Sequence, residues 1–140
     1  SLARKVLFEK MGMKFEDDFN GKPLIETLLT PTRIYVKTFK ELKNQIIALA
    51  HITGGGIVEN LPRVLPQNLK AEIKKDAIKV LPIFKLISEH VEENEMYRAF
   101  NMGVGMILVV KEEDVEIVLS KTDGYLIGEI KEGKREAVLI

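Results

Sequence analysis

The 140-residue chain contains no cysteine and no tryptophan, and its only histidines are His51 and His90. Without cysteine there can be no disulfide, no thiolate zinc site and no cysteine nucleophile. Two histidines are too few for a His-rich metal cage. No charge predominates: 21 Lys and Arg face 21 Asp and Glu, for a net charge of zero. That balance argues against a nucleic-acid partner, because such binding rests on excess basic charge. Long apolar runs are also missing. The longest without a polar interruption is Met102–Val110, whereas a membrane span needs about 20 residues. No secretory leader is visible, since Ser1–Met13 mixes charged and apolar residues at helical spacing. The expectation is a soluble, cytoplasmic chain with no membrane partner. It opens on Ser1 inside a helical pattern, which reads as a cut end.

What is present suits one folded domain. The sequence is 46% hydrophobic and 30% charged, close to the globular average. Leu2, Val6, Leu7 and Met11 predict an amphipathic helix ended by Gly12. Residues 14–22 read as a polar loop, and Pro23 as the opening of a short helix over Leu24–Leu29, broken by Thr30-Pro31. Strands are predicted at Ile34–Val36, Gln45–Ile52, Leu69–Ile73, Gly103–Val110, Tyr125–Ile130 and Glu136–Ile140, the last two joined by a turn at Gly133. Helices are predicted at Thr38–Asn44, Val58–Leu61, Pro82–His90, Glu92–Phe100 and Glu112–Leu119. Strands and helices interleave without strict alternation. The fold class is α+β or α/β, a mixed sheet with helices packed on it in layers.

The sharpest local feature is His51-Ile52-Thr53-Gly54-Gly55-Gly56. A buried strand runs into three glycines and then a helix. Glycine permits positive φ and close backbone approach, and successive N–H groups make an anion site. The bland alternative is a tight strand-to-helix turn. The stretch is no Walker A loop, because no Gly-Lys-Ser/Thr follows. His51 is either a strand-end residue bonded to backbone or a substrate contact. Arg63 and Arg33 are either surface arginines or forks for a phosphate. Glu95 and Arg98 suit an i to i+3 surface pair. Asn101 precedes Gly103 and Gly105 and then a strand, the reverse of a dinucleotide fingerprint. Those glycines are expected to admit another segment.

Taken together, Leu29-Thr30-Pro31-Thr32-Arg33-Ile34-Tyr35-Val36, Ala50–Gly56, Glu59–Pro66, Glu95–Met106 and Gly124–Glu129 resemble, in order, the C-terminal half of the aminoimidazole ribonucleotide synthetases, the phosphoribosylformylglycinamidine cyclo-ligases. The resemblance implies a purine-biosynthetic ligase. ATP phosphorylates the formyl oxygen of formylglycinamidine ribonucleotide, the amidine nitrogen attacks that carbon, and phosphate leaves as the imidazole ring closes. It implies an α+β fold with a mixed sheet and partial ferredoxin-like topology. It also implies that residues 1–140 form a single C-terminal domain. The N-terminal domain, with the ATP and Mg2+ sites and most of a homodimer interface, would precede Ser1, and the isolated piece would be inactive. The implied partners are a phosphorylated ribonucleotide, the N-terminal domain and a second copy. Carried onto this chain, the resemblance makes Thr53, Gly54, Gly55 and Gly56 a phosphate loop, and His51, Asn60, Arg63, Arg33 and Asn101 cleft-lining candidates. The alternatives are another member of the same ATP-dependent superfamily and a freestanding phospholigand-binding domain.

Overall fold

A computed structural model describes residues 2–28 and 40–140 of the chain. The predicted first helix forms as α1 (Leu2–Arg4), which continues as a π-helix over Lys5–Lys10. Its periodic residues Val6 and Leu7 are fully buried. The polar stretch expected to be a loop contains a small hairpin, β1 (Asp18–Phe19) and β2 (Lys22–Pro23). Asn20 and Gly21 both have positive φ, 53° and 84°. This is the two-residue turn that an Asn-Gly pair favours, because its twist matches that of the flanking strands. Pro23 therefore ends a strand, and α2 follows over Leu24–Leu28. The strand predicted at Ile34–Val36, and Arg33 with it, lies outside the described residues.

β3 (Ile46–His51) pairs antiparallel with β5 (Met106–Val110). Between them run α3 (Gly56–Asn60), β4 (Leu69–Ile73), α4 (Pro82–Ser88) and α5 (Glu93–Ala99). The helix predicted at Val58–Leu61 begins earlier, at Gly56. It then tightens to a 3-10 turn over Leu61–Val64 that contains Pro62. Proline is tolerated there because the first turn of a helical segment leaves its N–H unused anyway. The strand expected from Gly103 starts at Met106, since Met102 and Gly103 form a turn at positive φ. After β5 come α6 (Val115–Ser120), β6 (Gly128–Glu132) and β7 (Ala137–Leu139).

The last two strands do not pair with each other. β4 lies between them, antiparallel to β6 and parallel to β7. The link through Gly133 wraps the start of β4: Gly133 N–H donates to Asn68 O at 3.0 Å and Arg135 N–H to Gln67 O at 3.2 Å. The strand expected at Tyr125 begins only at Gly128. Tyr125 is held elsewhere, its hydroxyl accepting the Lys79 backbone N–H at 3.0 Å while Lys79 Nζ lies 4.7 Å from the ring centroid.

The architecture is α+β. Among the described residues the strands form three small sheets, of which β6-β4-β7 is mixed. One apolar cluster joins the π-helix that continues α1 (Val6, Leu7), β3 (Ala50), α3 (Ile57), α4 (Ile87) and α5 (Met96). The core thus backs directly onto the end of β3, where the glycines sit. No helix among the described residues is long and apolar enough to cross a membrane.

Candidate functional site: the glycine loop at the end of β3

The ladder between β3 and β5 sets the geometry. His51 lies opposite Met106, and Ile52 N–H donates to Gly105 O at 3.0 Å. Because the pair is antiparallel, the end of β3 and the beginning of β5 coincide. The Thr53–Gly56 loop and the Asn101–Gly105 turn therefore share one end of the sheet, although about 50 residues separate them.

The loop turns sharply. Gly56 N–H donates to Thr53 O at 3.0 Å, and Gly55 and Gly56 have φ of 96° and 65°. The three glycines differ in purpose. A Cβ at Gly56 would overlap the Tyr97 carbonyl and lie 2.8 Å from the Phe100 carbonyl. Gly56 is thus the point where α3 touches the C-terminal end of α5. A Cβ on Gly55 would run into the Glu59 side chain, whose carboxylate folds back over the loop. Gly54 has nothing within 4 Å and is exposed, like Thr53. Among the described residues, the amides of Gly54 and Gly55 donate to no backbone carbonyl.

Asn60 organises the loop from below. It is the buried polar residue of the described core, 5% exposed. Its Nδ2 donates to Gly56 O at 2.8 Å, Gly54 O at 3.2 Å and Thr53 O at 3.3 Å. A carboxamide has two N–H bonds, so two of these three contacts share one hydrogen. Its Oδ1 accepts from Arg63 Nη1 at 3.3 Å. The structure therefore brings Thr53, Gly54, Gly55, Gly56, Asn60 and Arg63 into one unit. Arg63 is at the surface and Asn60 beneath it. His51 is exposed at the strand end next to that unit.

Asn101 is spent on its own turn: Oδ1 accepts from Gly103 N–H at 2.9 Å, and its carbonyl accepts from Val104 N–H at 2.9 Å. That turn holds Met102 at a φ of 58°. A Cβ at Gly103 would lie 2.8 Å from Leu81 Cγ, so this glycine does admit another segment, as expected. Among the described residues, Glu95 and Arg98 are not ion-paired with each other. Their helix instead ties down at Glu93, which meets Lys75 Nζ at 2.6 Å and holds that ammonium above its ordinary pKa. Burial raises the pKa of Tyr97, one turn further along α5. The sequence reading missed the Tyr97 and Phe100 carbonyls against Gly56. The signal available was a third glycine where a turn needs only one or two.

No group of three acidic or histidine side chains that could hold a metal occurs among the described residues. Two hollows lie elsewhere: a groove of about 740 Å³ beside Phe8 and Phe15, and one of about 360 Å³ beside Met96 and Tyr97.

The sequence matches the family described as AIR synthase related protein, C-terminal domain, over residues 1–140. It is 48% identical to a phosphoribosylformylglycinamidine cyclo-ligase of Citrifermentans bemidjiense over 93% of this chain and 40% of that protein. Identity is again 48% with the enzyme of that name in Brevibacillus brevis, over 99% of this chain and 43% of the relative. For the enzyme in Thermoanaerobacter sp. it is 45%, over 99% and 44%. The chain thus spans about two fifths of the length of these curated relatives. With the family pattern running through all 140 residues, including both turns at the shared end of the β3–β5 pair, the chain belongs to the AIR synthase related proteins, as their C-terminal domain.

Proposed function

We propose that this chain serves as the C-terminal domain of an ATP-dependent phosphoribosylformylglycinamidine cyclo-ligase, and that its glycine loop holds a phosphate of the bound ribonucleotide or nucleotide. The observation that carries the activity is the family match over residues 1–140, together with 48% identity to relatives bearing that name. For the loop, the support is local: exposed Thr53 and Gly54, two amides with no backbone acceptor among the described residues, and Arg63 tethered alongside. With zero net charge, anion recognition must come from such local donors and not from a basic surface. Each hydrogen bond to a charged group contributes about 1.5–3 kcal/mol, so two amides and one guanidinium suffice to fix a phosphate.

In this reading ATP, with Mg2+, activates the formyl oxygen. The residues of this chain bind and orient the phosphorylated ligand. Asn101 shapes the facing turn, His51 lines the cleft, Arg33 is assigned to the ligand by the family resemblance alone, and an N-terminal domain supplies the metal and nucleotide contacts. A homodimer in the cytoplasm belongs to the same proposal, and exposed Ile47 and Leu126 offer apolar surface for contacts with further chain.

The test uses the full-length enzyme that carries this domain. It is expected to convert formylglycinamidine ribonucleotide to aminoimidazole ribonucleotide. Gly54→Asp adds a negative charge where a side chain meets open space, so it is expected to raise KM by about tenfold or more without unfolding the protein. Absence of turnover in the parent refutes the activity. Unchanged KM in the variant removes the loop from the site.

A further inference from the structure

We propose that Asn60 is a positioning residue that locks the amides of Gly54 and Gly55 outward and couples them to the guanidinium of Arg63, without itself touching a ligand. This rests on the phosphate reading of the loop and names the side chain that creates it.

The argument begins with the planar peptide. In a trans peptide the C=O of one residue and the N–H of the next point in opposite directions, and the described chain has no cis bond. Asn60 Nδ2 draws the Thr53 and Gly54 carbonyls inward, at 3.3 and 3.2 Å. The N–H groups of Gly54 and Gly55, on the far sides of those two peptides, must then face outward together. A pair of outward amides on a glycine loop is an anion-binding concavity. The third contact, to Gly56 O at 2.8 Å, anchors the same carboxamide to the first turn of α3.

The other end of the carboxamide reaches Arg63. Arg63 Nη1 donates to Asn60 Oδ1 at 3.3 Å, which holds one edge of the fork and leaves the other nitrogens for a ligand. One amide group thus sets both halves of the site. No other residue type of this size offers two donors and an acceptor. Aspartate would turn an oxygen toward three carbonyls, and leucine would keep the shape but lose every bond. At 5% exposure Asn60 is almost wholly withdrawn from solvent. A polar side chain this buried and fully bonded specifies one local geometry.

The test uses the full-length enzyme, with steady-state kinetics on the phosphorylated substrate, thermal melting, and NMR of the protein labelled with 15N at glycine. Asn60→Leu is expected to raise KM by about tenfold, as Arg63→Ala does. The double variant is expected to be no worse than Asn60→Leu alone, because each substitution dismantles the same unit. If Asn60→Leu lowers the melting temperature but leaves KM within twofold, Asn60 is merely structural and the proposal is overturned. A product of the two single effects in the double variant overturns it as well. Should Asn60→Leu fail to fold, Arg63→Ala with Asn60 in place decides. The coupling requires the Gly54 and Gly55 amide signals to move in that variant, and unmoved signals refute it. If Gly54→Asp and Arg63→Ala both leave KM unchanged, the phosphate reading fails first and the role of Asn60 falls with it.

Discussion

Gly54 and Gly56 stand two residues apart in one motif, yet the structure assigns them opposite responses to the same substitution. At Gly56, alanine must adopt a φ of 65°, and the left-handed region costs an L-residue about 1–2 kcal/mol. Its Cβ would also overlap the Tyr97 carbonyl and lie 2.8 Å from that of Phe100. Both are backbone atoms at the end of α5, where Phe100 N–H is bonded to Met96 O at 3.0 Å. They cannot rotate aside, so α3 and α5 must separate, and overpacking of this kind costs about 1–3 kcal/mol. The sum for Gly56→Ala is about 2–5 kcal/mol, a large share of a typical domain stability of about 5–15 kcal/mol. Gly54→Ala meets no atom within 4 Å and needs no positive φ. It is expected to be neutral, or to stabilise by about 0.4–1 kcal/mol by narrowing the unfolded ensemble. Urea unfolding of the two variants, followed by far-ultraviolet circular dichroism, measures both. A loss below about 1 kcal/mol at Gly56, or equal losses at the two positions, would refute the close contact between α3 and α5.

Other expectations follow from particular contacts. The Glu59 carboxylate folds over Gly55 and competes there with any anion, so Glu59→Gln is expected to lower KM for the phosphorylated substrate in the full-length enzyme; a higher KM would make Glu59 a ligand contact. Glu72 accepts from Lys131 Nζ at 2.9 Å and lies 3.4 Å from Lys70 Nζ. The hydrogen bond from Lys131 leads in holding its carboxyl below the ordinary range. A lowered folded pKa contributes stability above the unfolded pKa, and that contribution fades as pH falls through the folded value. Glu72→Gln should therefore melt lower than the parent near neutral pH, with the gap closing in acid, as thermal melts across pH would record. Burial raises the Tyr97 phenol, so its share of stability is lost as pH climbs past the folded value, and ultraviolet titration should find a tyrosine that ionises late. Tyr125→Phe removes the acceptor of the Lys79 N–H and is expected to cost about 0.5–1.5 kcal/mol in denaturant unfolding.

The local elements were largely legible in the sequence because they depend on neighbours in the chain. The period of Leu2, Val6 and Leu7 gave a helix with Val6 and Leu7 at zero exposure. The run at Gln45–Ile52 gave a strand within a residue at each end of the one observed, and the run at Leu69–Ile73 gave the observed bounds. The motifs resembling the synthetases pointed to the family to which the chain belongs, and three consecutive glycines marked the loop that turns at the end of β3. Asn20-Gly21 carried a hairpin signal too, hidden among polar residues that read as loop.

Contacts between distant segments were beyond sequence reasoning, because no local pattern encodes which carbonyl a side chain will find. Tyr125-Leu126 looks like the start of a strand, but Tyr125 is drawn away by a backbone N–H 46 residues earlier. The order of β6, β4 and β7 comes from non-local pairing, so two strands joined by a short link are separated by a third. Asn60 read as one more polar candidate for the cleft wall. Only the packing of α3 beneath the loop turned it inward, where burial leaves its carboxamide no water and the loop carbonyls become its partners. By itself the sequence determined the family and the glycine loop. The tertiary structure decided which glycine must pack against α5, which one faces open space, and which side chain holds the loop carbonyls. Those choices depend on what lies across the fold from each residue.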